Sequence, residues 1–129
     1  MIGPDRKESV MSAVNNTYEP CRHLDTFFVA GFQRYDGSFV IGKMAPGKKV
    51  ALVPEPENPF DSNAIMLRFK GKKIGYVPAK NNWLMATMSY YGHADCFECR
   101  IIQVDPKADP WEQVRVAVYV TDAREAVGK

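Results

Sequence analysis

The chain has 129 residues, 46% of them hydrophobic and 25% charged, a composition typical of one soluble globular domain. Its 17 basic and 15 acidic residues leave a net charge of +2 when the histidines are neutral, which excludes the strongly basic character of a protein that coats long nucleic acids. Any contact with nucleic acid must therefore use a local group of cations.

The N-terminal segment lacks the pattern of a secretory signal, because charged residues interrupt Met1 to Asn16 where a continuous apolar core would be needed. No apolar run approaches the roughly 20 residues that span a bilayer. Three cysteines are an odd number and are typical of reduced thiols rather than of a disulfide framework. We therefore expect a cytoplasmic protein without membrane contact.

The ends of the chain are polar. Residues 1–24 are predicted to form an N-terminal arm that is partly disordered or contains a short helix, and residues 123–129 a C-terminal tail. From Phe27 onward, short apolar runs separated by Gly, Pro, Asn and Asp predict many short strands. The predicted strands are Phe27 to Phe32, Phe39 to Lys43, Lys48 to Pro54, Asn63 to Lys70, Lys73 to Val77, Ala94 to Val104 and Glu112 to Val120.

One segment has helical spacing. Apolar residues recur every three or four positions between Pro78 and Tyr91, and Gly92 follows. This pattern predicts one main α-helix at about residues 79–91, with Trp83, Met85 and Met88 as core residues. The fold class that suits this order is mainly β. We expect a small OB-like, partly closed β-barrel of about six short strands, with the helix inserted before the last two.

The residue types required for catalysis do not occur in a useful arrangement. Nucleophilic catalysis needs a nucleophile beside a base, yet the only histidines, His23 and His93, lie near no nucleophile elbow. No glycine-rich loop stands between a strand and a helix, where it would cradle a phosphate. We therefore expect neither catalysis nor a cofactor.

A metal site has only weak candidates. His93, Cys96 and Cys99 have suggestive spacing, but a structural zinc site needs four ligands. In a regular strand, Cys96 and Cys99 would point to opposite faces and could not share an ion. The sequence therefore favours buried or half-buried thiols over a metal site.

The most informative segment is the turn between Val50 and Ile65, where one strand ends and another begins. Asn58 and Asp61 can accept hydrogen bonds from nearby backbone N–H groups and hold a wide turn, which is a purely structural role. The turn also places an aromatic ring, Phe60, beside the carboxylate of Asp61. A ring can stack on a nucleobase and a carboxylate can accept a hydrogen bond from a sugar hydroxyl, so a binding role is the alternative.

These residues carry a resemblance to a known family. The run Pro56-Glu57-Asn58-Pro59-Phe60-Asp61-Ser62-Asn63-Ala64-Ile65, followed by Lys73-Ile74-Gly75-Tyr76-Val77-Pro78, resembles the hallmark of the HIRAN domain family. The resemblance extends from Phe27 to Val120 and implies a HIRAN-like domain over residues 25–122 with a modified OB-like barrel. In eukaryotic members, found in helicase-like fork-remodelling proteins, the domain binds single-stranded DNA and captures its free 3′ end.

The resemblance also implies roles for individual residues. The family's turn asparagine falls on Asn58, its aromatic on Phe60 and its end-reading carboxylate on Asp61. The basic and aromatic pair of the DNA-binding members falls on Gln33 and Arg34, so here the pattern departs, with Arg34 displaced by one position and Tyr35 after it. Phe60 also lacks the hydroxyl of the tyrosine usual in those members.

Further rings and cations complete the expected site. Tyr35 and Tyr76 are stacking candidates, although Tyr76 follows a glycine in a strand and could equally pack in the core. The phosphate candidates are Arg34, Lys43, Lys48, Lys49, Lys72, Lys73 and Lys80. Lysines beside a tight hairpin, among them Lys70, Lys72 and Lys73, also commonly serve solubility and edge protection.

The sequence thus predicts a non-catalytic module that binds a free 3′ end of single-stranded DNA in repair or fork processing, with a helicase or nuclease as a possible partner. The residues expected to bind DNA are Gln33, Arg34, Tyr35, Asn58, Phe60, Asp61, Tyr76 and Lys80. The alternative is a protein-interaction module that uses the barrel groove or the N-terminal arm. The modest net charge favours that alternative somewhat, because DNA binding without sequence preference relies on phosphate neutralisation.

Overall fold

The computed structural model describes residues 21–124 of the chain. This part contains six strands and two short α-helices. In chain order they are β1 Cys21–Phe28, α1 Gly37–Val40, β2 Lys49–Pro54, β3 Ile65–Phe69, β4 Lys72–Tyr76, α2 Trp83–Tyr90, β5 Phe97–Val104 and β6 Val114–Thr121. Short 3-10 helices occupy Phe32–Arg34, Ile41–Lys43, Ala79–Asn81, Ala94–Cys96 and Pro110–Glu112.

The strands form one antiparallel sheet in the order β1-β6-β5-β2-β3-β4. Its two edges meet just after β1, where Ala30 and Tyr76 exchange two backbone hydrogen bonds of 2.9 Å. This bridge curls the sheet into a barrel without a full ladder between the edge strands. The prediction of a mainly β, OB-like, partly closed barrel, with a helix before the last two strands, is confirmed.

Gly75 permits this closure. Its φ of +151° is rarely adopted by residues with a side chain. A Cβ atom at this position would lie 2.4 Å from the carbonyl oxygen of Ala30 and 2.5 Å from a methyl carbon of Val29. Only a glycine lets the backbone of β4 approach the segment that follows β1 so closely.

The interior of the barrel is filled by apolar side chains from all six strands and both α-helices. Val40 of α1 and Met85 of α2 are buried against this core, so the helices pack on the strands. The largest fully buried side chains are Phe32, Phe69, Ile65, Leu67, Ile74 and Ile101. A core of this kind needs no disulfide or metal to hold it together.

The first predicted strand is displaced in the structure. β1 begins at Cys21, so residues 21–24, which were expected to belong to the arm, are part of a strand that pairs with β6. The strand ends at Phe28 rather than Phe32, because Gly31 adopts a left-handed conformation with φ +72° and starts a 3-10 helix. The alternation of apolar residues does not reveal this left-handed turn.

The predicted strand Phe39 to Lys43 is wrong, since this segment forms α1 and the 3-10 helix that follows it. Val40 and Met44 are buried and four positions apart, which is a helical spacing, whereas Phe39 is 81% exposed. The ring of Phe32 lies where a Cβ of Gly37 would be, so the start of α1 packs directly on this ring. Tertiary packing therefore decides the structure of a segment rich in strand-forming residues.

The main helix is shorter than predicted. Residues 79–81 form a 3-10 turn, and α2 covers only Trp83–Tyr90. Met85 is buried as expected, but the expectation of a core role for Trp83 is wrong because this side chain is 64% exposed. Within residues 21–124, no helix has the length and apolar character needed to cross a membrane. The predictions for residues 1–20 and 125–129 lie outside the described residues.

Candidate functional site

A pocket of about 450 Å³ opens where the β2–β3 turn, the end of β4 and the segment after β1 meet. It collects five of the eight side chains that the sequence predicts for DNA binding, which are Tyr35, Asn58, Phe60, Asp61 and Tyr76. The remaining lining residues are Ala30, Pro59, Ala64, Lys73, Val77, Ala79 and Asn82. Segments far apart in the sequence thus build one concave surface, which we call the end pocket.

Asn58 organises the turn that forms one wall of the end pocket. Its side-chain oxygen accepts hydrogen bonds from the backbone N–H groups of Phe60 and Asp61, at 2.9 and 3.2 Å. Its amide nitrogen donates to Oε1 of Glu55 at 3.0 Å. Asn58 therefore holds the turn by bonding its backbone, as the sequence predicts. In this turn Phe60 projects outward with 95% of its surface exposed.

Asp61 joins this turn to the beginning of α2. Its Oδ1 accepts a hydrogen bond from the backbone N–H of Asn63, and its Oδ2 accepts one from the side-chain amide of Asn82, both at 2.9 Å. Asn82 is only 3% exposed. An ionised carboxylate offers about four lone-pair sites, so both oxygens of the half-buried Asp61 can accept a further hydrogen bond from the pocket.

A lysine lies between two tyrosine rings on the opposite wall. The ammonium nitrogen of Lys73 is 4.2 Å from the ring centre of Tyr35 and 4.6 Å from that of Tyr76. The two rings meet edge to face, with centroids 5.8 Å apart. Lys73 donates a hydrogen bond of 2.9 Å to the hydroxyl of Tyr76, which in turn donates one of 2.7 Å to Glu55.

This chain of contacts changes the acidity of its members. The hydrogen bond to Tyr76 raises the pKa of Lys73 above its usual value. Burial alone would raise the pKa of Glu55, but the hydrogen bonds from Tyr76 and Asn58 and the charge of Lys73 lower it overall. At neutral pH, therefore, Lys73 is a fixed cation and Glu55 a fixed anion.

A β-bulge puts Lys73 and Tyr76 on one face of the sheet. The register passes from Leu67 opposite Gly75 directly to Arg68 opposite Lys73, so β4 carries one extra residue. In a regular strand, residues three apart point to opposite faces, whereas a bulge re-aims one of them. The core interpretation of Tyr76 is therefore incomplete, because its ring lines the end pocket.

Comparison with known proteins identifies the family. The model of the HIRAN domain matches residues 26–121. The chain belongs to the HIRAN domain family. HIRAN domains are known for DNA binding. No curated protein gives a significant match to the chain.

Two solved structures share the fold of this HIRAN domain. The crystal structure of a protein from Lactobacillus plantarum matches with a TM-score of 0.63 and 22% identity, over 78% of this chain and 94% of that one. The HIRAN domain of human HLTF matches with a TM-score of 0.57 and 18% identity, over 78% of each chain. At these identities the likeness concerns the fold.

Three predicted residues of this HIRAN domain do not line the end pocket. Gln33 and Arg34 are exposed on the 3-10 helix Phe32–Arg34, and Lys80 is exposed on the 3-10 helix before α2. Tyr35, the residue after Arg34, lines the end pocket instead of Gln33 and Arg34. Roles for these three residues in binding stay predictions.

Two polar residues of the end pocket, Lys73 and Asn82, were not among the residues predicted to bind DNA. The sequence offers Lys73 as one of seven phosphate candidates and as a cation beside a hairpin, but the bulge that directs it toward Tyr35 is not visible in the pattern of residues. Asn82 is recognisable in the sequence only as a signal for a helix start, because it stands immediately before an apolar helical run. Its buried contact with Asp61 depends on the tertiary structure.

A neighbouring groove of about 610 Å³ lies between the β2–β3 turn and α2. Its exposed aromatic residues are Trp83, Tyr90 and Tyr91, and the two tyrosine rings form an edge-to-face pair with centroids 5.0 Å apart. No charged residue lines this groove among residues 21–124. We call it the aromatic groove. It offers rings and neutral polar groups but, among the described residues, no cation for a phosphate.

The cysteines do not assemble with other ligands in the described part of the chain. No group of three or more His, Cys, Asp or Glu side chains there could hold a metal ion. Cys99 is buried in the core, and burial raises the pKa of its thiol to about 12. Cys96 is half-buried at the end of a 3-10 helix, and burial raises its pKa as well.

Proposed function

We propose that this HIRAN domain binds the free 3′ end of single-stranded DNA in the end pocket and catalyses no reaction itself. The observation that supports this proposal is the convergence of an exposed ring, a carboxylate and a cation in one pocket, from Phe60, Asp61 and Lys73. The pocket volume of about 450 Å³ is within the range of small-ligand sites. A terminal nucleotide presents a base, a hydroxyl and a phosphate to match these three groups.

Phe60 provides the surface for the base. A ring that is 95% exposed is unusual for an apolar side chain, and Asn58 holds the turn that displays it. Stacking of a base on such a ring contributes about 1–3 kcal/mol. Because Phe60 has no hydroxyl, it contributes stacking without a hydrogen bond, and every base can use it.

Asp61 provides the acceptor for the 3′ hydroxyl. Its carboxylate is fixed by Asn63 and Asn82, so accepting a hydrogen bond from DNA requires little reordering of the side chain. A 3′ phosphate would bring a negative charge against the carboxylate and be repelled. An internal nucleotide has no free hydroxyl to donate. Asp61 is therefore the group that would select a free end.

Lys73 provides the cation for the phosphate of the terminal nucleotide. Tyr76 accepts one of its three N–H donors, and the others remain available. The rings of Tyr35 and Tyr76 restrict the side chain, so less conformational entropy is lost on binding. We propose that a helicase or nuclease partner in repair or fork processing would supply any catalysis.

The test is fluorescence anisotropy with two 12-mers of one sequence, labelled at the 5′ end, that differ only in a 3′ hydroxyl or a 3′ phosphate. We expect the hydroxyl form to bind more tightly, and Asp61→Asn to remove most of the difference because the amide lacks the charge. Equal affinity of the wild-type protein for both forms would refute end recognition. Ser62→Ala is the matched control on the same turn, since Ser62 is exposed and does not line the end pocket.

A second candidate function is the binding of an apolar peptide in the aromatic groove. The observation that favours it is the exposure of Trp83, Tyr90 and Tyr91 around a groove without charges. Proline-rich segments dock in aromatic grooves of this kind. Salt separates the two functions, because DNA affinity falls steeply as salt rises whereas an apolar contact hardly responds.

A further inference from the structure

The end pocket is nearly neutral. Among its described lining residues Lys73 is the only cation and Asp61 the only anion, and Glu55 stands beside them through its bond with Tyr76. A strand of DNA carries one negative charge per nucleotide, so nucleotides beyond the terminal one would find no cation in the pocket. Cations for them must lie elsewhere on the domain.

Such cations lie on the outer face of β2 and β3. A groove of about 570 Å³ there is lined by Lys49, Val50, Ala51, Val53, Arg68, Lys70 and Gly71. Its three basic side chains are exposed, and no acidic residue lines it among residues 21–124. On the neighbouring strand β5, Arg100 is the register partner of Lys49 and forms an ion pair with Glu98, so its charge is already matched. We call this groove the basic face.

The basic face continues directly from the end pocket. Arg68 on β3 is the register partner of Lys73 on β4, and Ala51 on β2 is the partner of Arg68 on the other side. Lys49 is two residues from Ala51 and therefore on the same face of the sheet. Lys73, Arg68 and Lys49 therefore lie on three successive strands, β4, β3 and β2. Adjacent strands are about 4.8 Å apart, so these cations form a continuous row across the sheet.

The shape of this face suits a chain of nucleotides. Ala51 lies opposite Arg68 and two residues from Lys49, and its side chain is small and apolar, so a sugar or base can approach the sheet closely there. Arg68 donates a hydrogen bond of 3.0 Å to the carbonyl oxygen of Gly71, which holds its guanidinium near the hairpin turn beside Lys70. A guanidinium has five donors, so this contact leaves others for a phosphate.

We infer that the nucleotides on the 5′ side of the bound end run across the basic face, where Lys49, Arg68 and Lys70 contact their phosphates. This inference rests on the proposed function, since it takes the 3′ end to be in the end pocket. It assigns to the domain a footprint of several nucleotides and a direction, from the end pocket across β3 to β2.

The test uses the full chain and two oligothymidylates with free 3′ hydroxyls and 5′ labels, dT4 and dT12. The variant Lys49→Gln/Lys70→Gln removes two cations from the basic face and leaves Arg68, which also supports the hairpin, in place. The control variant Lys43→Gln/Lys107→Gln removes the same charge from exposed positions that line neither the end pocket nor the basic face. Circular dichroism confirms that each variant is folded.

We expect the basic-face variant to bind dT12 about tenfold more weakly at low salt and to lower the slope of log affinity against log salt by about 1.4, while its affinity for dT4 stays unchanged. An unchanged dT12 affinity, or an equal loss in the control variant, would overturn the inference. Competition by poly-glutamate as effective as that by dT12 would assign the face to an acidic protein instead and would also overturn it. If the basic-face variant loses affinity for dT12 but the wild-type protein binds 3′ hydroxyl and 3′ phosphate oligonucleotides equally, only the end-binding proposal is refuted.

Discussion

The side-chain amide of the buried Asn82 donates a 2.9 Å hydrogen bond to the carboxylate of Asp61. This bond joins the β2–β3 turn to the start of α2, and together with the hydrogen bond from the backbone N–H of Asn63 it fixes the proposed end-reading carboxylate. Any change at Asn82 should therefore affect both the stability of the fold and the position of Asp61.

We expect Asn82→Ala to lower the free energy of unfolding by about 1–3 kcal/mol, because it removes a buried donor and leaves a carboxylate oxygen without its partner. Urea denaturation of the variant and the wild type measures this difference. Ser62→Ala, an exposed change beside Asp61 on the β2–β3 turn, is the control and should shift stability by less than about 0.5 kcal/mol. Equal stability of Asn82→Ala and the wild type would contradict the role of this bond.

Gly75→Ala should destabilise the protein by more than about 2 kcal/mol. The added Cβ would lie 2.4 Å from the carbonyl oxygen of Ala30, and φ +151° is strained for alanine. Gly42→Ala is the matched control, because no atom lies within 4 Å of its Cβ position and its φ is not positive. Thermal unfolding should place the two variants far apart, and similar melting temperatures would count against the closure of the barrel at Gly75.

The pH dependence of stability should carry a contribution from Glu55. Because its folded-state pKa is lowered from the ordinary value of 4.5, its ionised form stabilises the fold above that pH, and this stabilisation is lost as the pH falls through the lower folded-state pKa. We expect Glu55→Gln to flatten the dependence of unfolding free energy on pH between about pH 6 and pH 3. Glu57→Gln, an exposed carboxylate two residues away, serves as the control. Parallel pH profiles for Glu55→Gln and the wild type would speak against the contact with Tyr76.

Phe60→Ala should weaken binding of single-stranded DNA by about 1–3 kcal/mol, the contribution of one stacked base. It should leave the melting temperature almost unchanged, since Phe60 is 95% exposed and contributes little to the core. Phe39→Ala is the matched control, because Phe39 is 81% exposed but does not line the end pocket. Anisotropy titrations measure the affinities, and equal losses for the two variants would exclude a specific platform at Phe60.

Lys73→Met should weaken DNA binding and lower the slope of log affinity against log salt by about 0.7, the effect of one lost phosphate contact on a single strand. The methionine keeps an unbranched side chain between Tyr35 and Tyr76, so the variant should remain folded. Lys72→Met removes the same charge from the exposed neighbouring position and does not line the end pocket. A salt slope that falls equally in both variants would show that Lys73 acts only through net charge.

Local patterns in the sequence were sufficient for the parts of the fold that depend on neighbours along the chain. The hairpin around Gly71 follows from turn chemistry, and β2, β5 and β6 lie close to their predicted positions because alternating residues reveal a half-buried strand. The segment after Gly31 was mispredicted, since Phe39 and Val40 favour a strand by propensity but lie in a helix whose first residue, Gly37, packs on the ring of Phe32. Such contacts join residues that the local pattern treats as independent.

The motif from Asn58 to Asp61 was informative by itself, because an asparagine side chain that bonds its own turn has a fixed spacing that can be read from the chain. The small net charge likewise indicated that any cations for DNA must be local. Only the tertiary structure shows which cations lie close together. A bulge in β4 turns Lys73 toward Tyr35 and sets it opposite Arg68. These contacts depend on the register between strands and on the closure of the barrel, and neither can be read from the order of residues along a single strand.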